Sequence, residues 1–263
     1  SLYLLYFYTD VVHLGAKSIA VMFMICRVID AITDVLVGFA IDKTKTRWGK
    51  SRPWFLFGAV PFAVAAFLAF SVPDISPDGK LLYAYATYIF LSFMYTVVNI
   101  PLASILPTLT DDMNERTVLA TWRKFLAFLG SSIVSATALT LVQVTGRGNE
   151  ALGFRIVMGM FGIVGCVCFF LTFFLVRENN LQENIKSATL KEMIMSLGKN
   201  TPWKVFAINI MFMWTGYFLQ SSALVYYYKY YIGSTSMASM VATIMTVIPM
   251  AANLTVAFLA KRL

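Results

Sequence analysis

The sequence predicts an all-α polytopic membrane protein. Of the 263 residues, 59% are hydrophobic and only 13% are charged, which is far more apolar than a soluble domain of this length. Several apolar runs reach about 20 residues, the length that a helix needs to cross the hydrocarbon core of a bilayer. The runs are too long and too uniformly apolar for the alternating strands of a membrane β-barrel. A bundle of membrane-spanning helices follows.

The apolar runs divide the chain into one partial span and seven complete ones. Residues 1–8 read as the end of a helix, and complete spans are expected at 18–41, 53–72, 81–107, 118–144, 152–176, 203–228 and 236–260. Because the chain begins inside an apolar run and stops at a basic pair, we expect a bundle that is truncated at both ends. The domains predicted are an N-terminal six-helix bundle with an incomplete first helix (1–176), a central cytoplasmic loop (177–202) and the start of a C-terminal bundle (203–263).

Basic residues recur in alternate loops and predict the orientation. The loop after the second span carries five basic residues at positions 43–52, and the connection at 177–200 carries four, whereas the intervening loops hold one or two each. Loops rich in Lys and Arg stay on the cytoplasmic side. The net charge of +8 is therefore mostly a topology signal in a multi-pass protein of the cell membrane. It is not the footprint of a nucleic-acid partner, because the charges are dispersed among short loops.

Three charged residues lie inside the second span, and they are the main functional signal. Asp30 and Asp34 are one helical turn apart on one face, and Arg27 precedes Asp30 by three residues. Each charge costs about 2.5–3.5 kcal/mol at mid-bilayer even on the lenient insertion scale, so it needs partners or water. Two converging carboxylates are suited to a small monovalent cation. The alternative is a purely structural Arg–Asp ion pair between helices.

Motifs for catalysis are absent from the sequence. It contains no nucleotide-binding loop, no nucleophile elbow and no His/Cys spacing of a metal site. We therefore predict neither an enzyme nor a cofactor other than a coupling cation. An internal echo points to transport instead: Leu4–Gly15 and Leu224–Gly233 share an aromatic helix end that runs into a loop with a glycine. Repeats of this kind occur in transporters built from two similar halves.

Two blocks of sequence carry a family resemblance. The first extends from YTDVV to RVIDAITDVLVGFAIDKTKTRWGKSRPW, and its loop resembles the signature between the second and third spans of the major facilitator superfamily. The second is YTVVNIPLASILPTLTDDMNERT, Tyr95–Thr117. Both resemble the glycoside–pentoside–hexuronide:cation symporter family of that superfamily. The resemblance implies a major facilitator-type bundle of twelve spans, of which this chain would cover the end of the first to the end of the eighth.

The same resemblance implies a cation site. Asp30 and Asp34 match the two aspartates that bind the coupling cation in the family's galactoside carrier, and Thr96 matches a threonine there. Thr33 stands where that carrier has an asparagine, and its hydroxyl can still serve a hard cation. The coupling ion would be Na⁺, Li⁺ or H⁺, with Na⁺ or H⁺ favoured.

A sugar site and a gating loop are implied as well. Asn99 stands where the galactoside carrier has a sugar-binding aspartate, and Arg123 matches an arginine of its sugar site. Ala103 replaces a stacking tryptophan, which argues against galactoside specificity. Tyr95 shares a helix face with Asn99, whose amide can donate to and accept from sugar hydroxyls. The residues expected to serve gating at the cytoplasmic end are Gly38, Asp42 and Arg47.

The function predicted is symport of a glycoside, pentoside or hexuronide with a monovalent cation. The partners expected are this small sugar or sugar acid, the cation and membrane lipids. Two alternatives stay open. One is a lysophospholipid-type carrier of the same superfamily, which would need a wide apolar cleft. The other is a non-transporting membrane receptor on the same fold.

Overall fold

The computed structural model describes residues 2–178, 190–232 and 241. Within these ranges every regular element is a helix, which confirms the all-α prediction. The predicted span at 236–260 lies outside the described residues, apart from position 241. The basic pair at positions 261 and 262 lies outside them too.

From α1 to α7 the helices follow one another with short connections. A short first helix, α1, continues into a π-helical turn, and a second π-helical turn follows α9. The bounds are α1 Leu2–Tyr6, the first π-helical turn Phe7–Val11, α2 Ala16–Lys43, α3 Arg52–Ala69, α4 Pro77–Ser104, α5 Leu106–Leu109, α6 Met113–Gly146, α7 Glu150–Leu175, α8 Leu190–Lys199, α9 Thr201–Tyr226 and the second π-helical turn Tyr227–Ile232.

Four helical segments among the described residues are long and apolar enough to cross a membrane. They are α3, the stretch Pro77–Leu109 formed by α4 and α5, α6 and α7. Helix α2 has 28 residues and a length of about 42 Å, which also suffices. Its central charges, Arg27, Asp30 and Asp34, lower its hydropathy. Helices α2, α3, α4, α6, α7 and α9 coincide with six of the predicted spans.

Two compact units divide the chain. The first consists of Ser1–Arg116 and Leu129–Asn184, and the second of Thr117–Phe128 and Ile185–Leu263. In the first unit, α3 packs against both α4 and α7, and α4 packs against α2. The described part of the second unit contains one segment of α6 together with α8, α9 and the π-helical turn that follows α9. The predicted domain boundaries at 176 and 202 stay a prediction.

The main apolar core of the first unit joins the π-helical turn after α1 to α2, α4 and α7. Its fully buried members include Phe7, Tyr8, Ile19, Met22 and Phe154. The hydroxyl of Tyr8 donates to the carbonyl of Ala69 at 3.0 Å, so this buried polar group is satisfied. The core holds α4 beside α2, the helix that carries the charged residues Arg27, Asp30 and Asp34.

A close approach between α3 and α4 positions the C-terminal half of α4. A Cβ atom added at Gly58 of α3 would lie 2.9 Å from Cγ1 of Val98, closer than side chains tolerate. Small residues permit this kind of contact between membrane helices. Helix α4 continues through the buried Pro101 and ends at Ser104, just before α5. The close packing of α3 against the residues next to Thr96 therefore depends on the missing side chain at position 58.

Candidate cation-binding site

Two hydrogen bonds join α2 to α4 near the middle of both helices. The hydroxyl of Ser92 donates to Oδ1 of Asp30 at 2.5 Å. One turn further along, the hydroxyl of Thr96 donates to Oδ1 of Asp34 at 2.9 Å. The structure thus pairs two predicted cation-site residues, Asp34 and Thr96, and gives Asp30 a partner in Ser92.

The burial of this group is graded. Thr96 is only 3% exposed and Asp30 is half-buried, whereas Asp34 is exposed. Carboxylates in an apolar helix need hydrogen bonds to their charged form, and each aspartate here receives one from α4. The two helices therefore share the cost of keeping two negative charges at this depth.

Arg27 contributes a further charge beside Asp30. Its Nη1 atom lies 3.7 Å from Oδ2 of Asp30, and its side chain is 74% exposed. This contact gives Asp30 a basic partner, whereas Asp34 has no basic partner among the described residues. The structural ion-pair alternative thus explains only half of the charged pattern.

Charge balance favours a monovalent ion. Asp30, Asp34 and Arg27 together carry a formal charge of −1, which one Na⁺, Li⁺ or H⁺ neutralises. No group of three His, Cys, Asp or Glu side chains suited to a metal ion occurs in the described part of the chain. Ca²⁺ takes about 6–8 oxygen ligands, several of them from carboxylates.

Thr33 is placed differently from the other predicted cation ligands. Its hydroxyl donates to the backbone carbonyl of Asp30 in its own helix at 3.2 Å. This is the usual back-bond of a threonine inside a helix. The assignment of Thr33 to the cation site stays a prediction.

The predicted sugar-binding residues lie on α4 and α6. Tyr95 is 53% exposed, and Asn99 is exposed one turn below it on α4. Arg123 is exposed on α6, in the segment that belongs to the second unit. Tyr95 and Asn99 follow Ser92 and Thr96 by three residues each, so α4 presents its open polar side chains next to the cation-site hydroxyls. The sugar-binding roles of Tyr95, Asn99 and Arg123 stay predictions.

The predicted gating loop is connected to the end of α7 through residues that the sequence did not single out. The carboxylate of Glu178 accepts the backbone N–H groups of Lys50, Ser51 and Arg52 at 2.8, 2.8 and 2.9 Å. It thereby caps the first turn of α3. Gly49 lies against the same carboxylate with φ +103°, and a Cβ there would be 2.6 Å from it.

A second contact links the same two elements. The guanidinium of Arg52 donates twice to the carbonyl of Phe173, at 3.0 and 2.6 Å, and stacks over the Phe173 ring at 5.0 Å. Of the three predicted gating residues, Arg47 stacks on Trp48 at 4.7 Å, Asp42 is exposed, and a Cβ atom added at Gly38 would meet nothing within 4 Å. The gating role of these three residues stays a prediction.

Ser92, Arg52 and Glu178 are therefore the residues that sequence reasoning missed. Ser92 could have been found, because it precedes Thr96 by four residues just as Asp30 precedes Asp34. Glu178 offered no local signal, since its partners are more than 120 residues away in the chain.

The fold and this site define a multi-pass helical membrane protein in which two carboxylates of one helix accept hydrogen bonds from hydroxyls of a neighbouring helix. Over residues 1–263 the chain matches the family described as MFS/sugar transport protein, and it belongs to that family. The predicted resemblance to glycoside and cation symporters of the major facilitator superfamily is confirmed.

Curated relatives bear the names of transporters. The isoprimeverose transporter of Lactiplantibacillus pentosus is 38% identical over 244 residues, which cover 92% of this chain and 51% of that protein. The putative glycoside/cation symporter YagG of Escherichia coli is 37% identical, with 90% and 51% covered. The inner membrane symporter YicJ of Escherichia coli is 34% identical, with 89% and 50% covered. The chain spans about half the length of these relatives. Their names denote transport and not catalysis, in agreement with the prediction that the protein is not an enzyme.

Proposed function

We propose that the protein is a secondary active symporter that carries a glycoside, pentoside or hexuronide together with a monovalent cation across the cytoplasmic membrane. The observation that carries this proposal is the pairing of Asp30 and Asp34 on α2 with hydroxyls of α4 at mid-helix. Ionisable side chains at this depth serve ion or substrate pathways by default. Relatives named as sugar transporters and glycoside/cation symporters support the same conclusion.

Coupling follows from the electrostatics of the pair. Two like charges one turn apart repel each other in a low dielectric, and a bound cation relieves that repulsion. The cation thereby steadies α4, which carries Tyr95 and Asn99 next to the cation-site hydroxyls. Each ligand then raises the affinity of the other. A membrane potential of 100 mV supplies about 2.3 kcal/mol per charge moved, enough for about fiftyfold accumulation of the sugar.

The sugar would be held by amide and charged side chains in this proposal. Asn99 offers both a donor and an acceptor, Arg123 offers several donors, and Tyr95 offers an aromatic face with a hydroxyl. These groups match the dense alternation of donors and acceptors on a sugar ring. An uncharged or weakly acidic sugar derivative fits them better than a lipid tail does.

Uptake by the full-length protein in proteoliposomes tests the proposal. We expect accumulation of at least one member of a panel of glycosides, pentosides and hexuronides, driven by an inward gradient of Na⁺, Li⁺ or H⁺. Liposomes without protein and liposomes lacking the gradient are the controls. Labelling by a photoreactive lysophospholipid with no sugar uptake would favour the lipid carrier instead. Sugar binding without transport under any gradient would favour a receptor.

A further inference from the structure

Ser92 gives α4 a pattern of hydroxyls that matches the carboxylates of α2. The pairs Asp30–Ser92 and Asp34–Thr96 are both separated by 62 residues, so the two helices run in the same direction here. Four residues of helix rise by about 6 Å, so the pairs form two rungs about one turn apart. Each rung joins one charged oxygen to one neutral oxygen.

The hydroxyls can serve either the empty or the occupied site. A hydroxyl has one proton to donate and two lone pairs to offer. In this structure, Ser92 and Thr96 use their protons toward Oδ1 of the two aspartates. A cation bound between the aspartates takes over the neutralisation of the carboxylates, and rotation about one bond then turns a hydroxyl lone pair toward the ion. Hard cations take oxygen ligands of this kind.

Ser92 is better placed than Thr33 to act as a ligand of the cation. The hydroxyl of Thr33 donates to a carbonyl of its own helix. The hydroxyl of Ser92 crosses from α4 and ends on the carboxylate of Asp30. It is half-buried, so its position is held by the packing of α4 against α2.

We propose that Ser92 is a ligand of the coupling cation, so that the site consists of two carboxylates from α2 and the hydroxyls of Ser92 and Thr96 from α4. This inference rests on the proposed symport function. It assigns a specificity role as well. A metal ion such as Na⁺ or Li⁺ needs several oxygen ligands, whereas a proton binds to one, so the Ser92 hydroxyl favours the metal ions over H⁺.

Calorimetric titration of the purified full-length protein with NaCl and LiCl, without sugar, tests the proposal. Ser92→Ala should weaken the binding of both ions by about tenfold or more, the scale of one lost polar contact to a charge. Ser92→Thr keeps the hydroxyl and should bind both ions within about threefold of the wild type. Thr87→Val is the matched control, because Thr87 is on the same helix and its hydroxyl donates to carbonyls of that helix and not to an aspartate of α2.

The outcomes separate this proposal from the function on which it rests. Wild-type affinity, or tighter binding, in Ser92→Ala would overturn it and leave Ser92 as a clamp between two helices. Wild-type uptake driven by a proton gradient and insensitive to Na⁺ and Li⁺ would overturn it too, with symport intact. A protein whose sugar uptake responds to no cation would instead refute the symport function itself.

Discussion

At the residue scale, the central question is how two carboxylates persist in an apolar helix. Asp30 receives a hydroxyl from Ser92 and a guanidinium contact from Arg27, while Asp34 receives a hydroxyl from the buried Thr96. Neutral hydroxyls stabilise a charge without cancelling it. The pair therefore keeps a net negative charge that a bound cation can neutralise. Two Arg–Asp ion pairs would carry no net charge for a cation to neutralise.

Replacing either aspartate by asparagine should abolish the response to the cation. Asp34→Asn keeps the size of the side chain and the acceptor for Thr96 but removes the charge, so we expect no stimulation of sugar uptake by Na⁺, Li⁺ or H⁺. The measurement is uptake by membranes with matched amounts of inserted protein. Asp30→Asn should behave in the same way. Normal cation dependence in both variants would contradict the assignment.

The sugar-binding predictions are separable from the cation site. Asn99→Ala and Arg123→Ala should weaken sugar binding by about tenfold or more, because each removes hydrogen bonds to a polar ligand. Cation binding to the sugar-free protein should change little. Equilibrium binding of a transported sugar, set beside a cation titration of the same samples, gives both quantities. An equal loss of both affinities, or of neither, would mean that these side chains only support the fold.

At the element scale, the loop between α2 and α3 is fastened to the end of α7. The carboxylate of Glu178 accepts hydrogen bonds from three backbone N–H groups at the start of α3. The guanidinium of Arg52 donates two hydrogen bonds to the carbonyl of Phe173 in the last turn of α7. An anion at a helix N-terminus is favoured by the helix dipole and by the unpaired N–H groups. These hydrogen bonds join the start of α3 to the end of α7 within the first unit.

Gly49→Ala should break this junction. A methyl group at φ +103° is strained, and it would stand 2.6 Å from the Glu178 carboxylate. We expect a loss of stability of about 1–3 kcal/mol, measured as a lower melting temperature of the purified protein in detergent. Glu178→Ala should also lower the melting temperature.

Gly165→Ala on α7 is the control for that experiment, because its Cβ would meet nothing within 4 Å. It should leave the melting temperature unchanged or raise it slightly, since alanine is the better helix former. If Gly49→Ala melts like the wild type, the contact between Gly49 and Glu178 does not contribute to stability.

At the scale of the whole molecule, the proposed mechanism makes a thermodynamic demand. If cation and sugar are coupled through α4, saturating sugar must raise the cation affinity by the same factor by which the cation raises the sugar affinity. Couplings of this kind are usually about 5- to 150-fold. Calorimetric titrations in both orders on the full-length protein measure the two factors. Independent binding of the two ligands would rule out coupling by mutual affinity.

Much of the architecture was predictable because hydrophobic length is a strong signal. Helices α2, α3, α4, α6, α7 and α9 lie where apolar runs of about 20 residues predicted them, since a backbone in lipid must satisfy its own hydrogen bonds. The aspartates of α2 were predictable for the complementary reason, that charges in such a run are costly. The seventh complete span, predicted at 236–260, lies outside the described residues, apart from position 241.

By itself, the sequence determined the class of protein, the helices of the first unit and the two carboxylates with Thr96 as their partner. The class, the helices and the carboxylates follow from local composition and from residue spacing along one helix, whereas the role of Thr96 was implied by the family resemblance. Only the tertiary structure decided that Ser92 pairs with Asp30, that Thr33 bonds back to its own helix, and that Glu178 caps α3. Such contacts depend on the rotation and axial register of one helix against another. Packing over the whole unit sets both quantities, and the close approach of Gly58 to Val98 is one of the contacts that contribute.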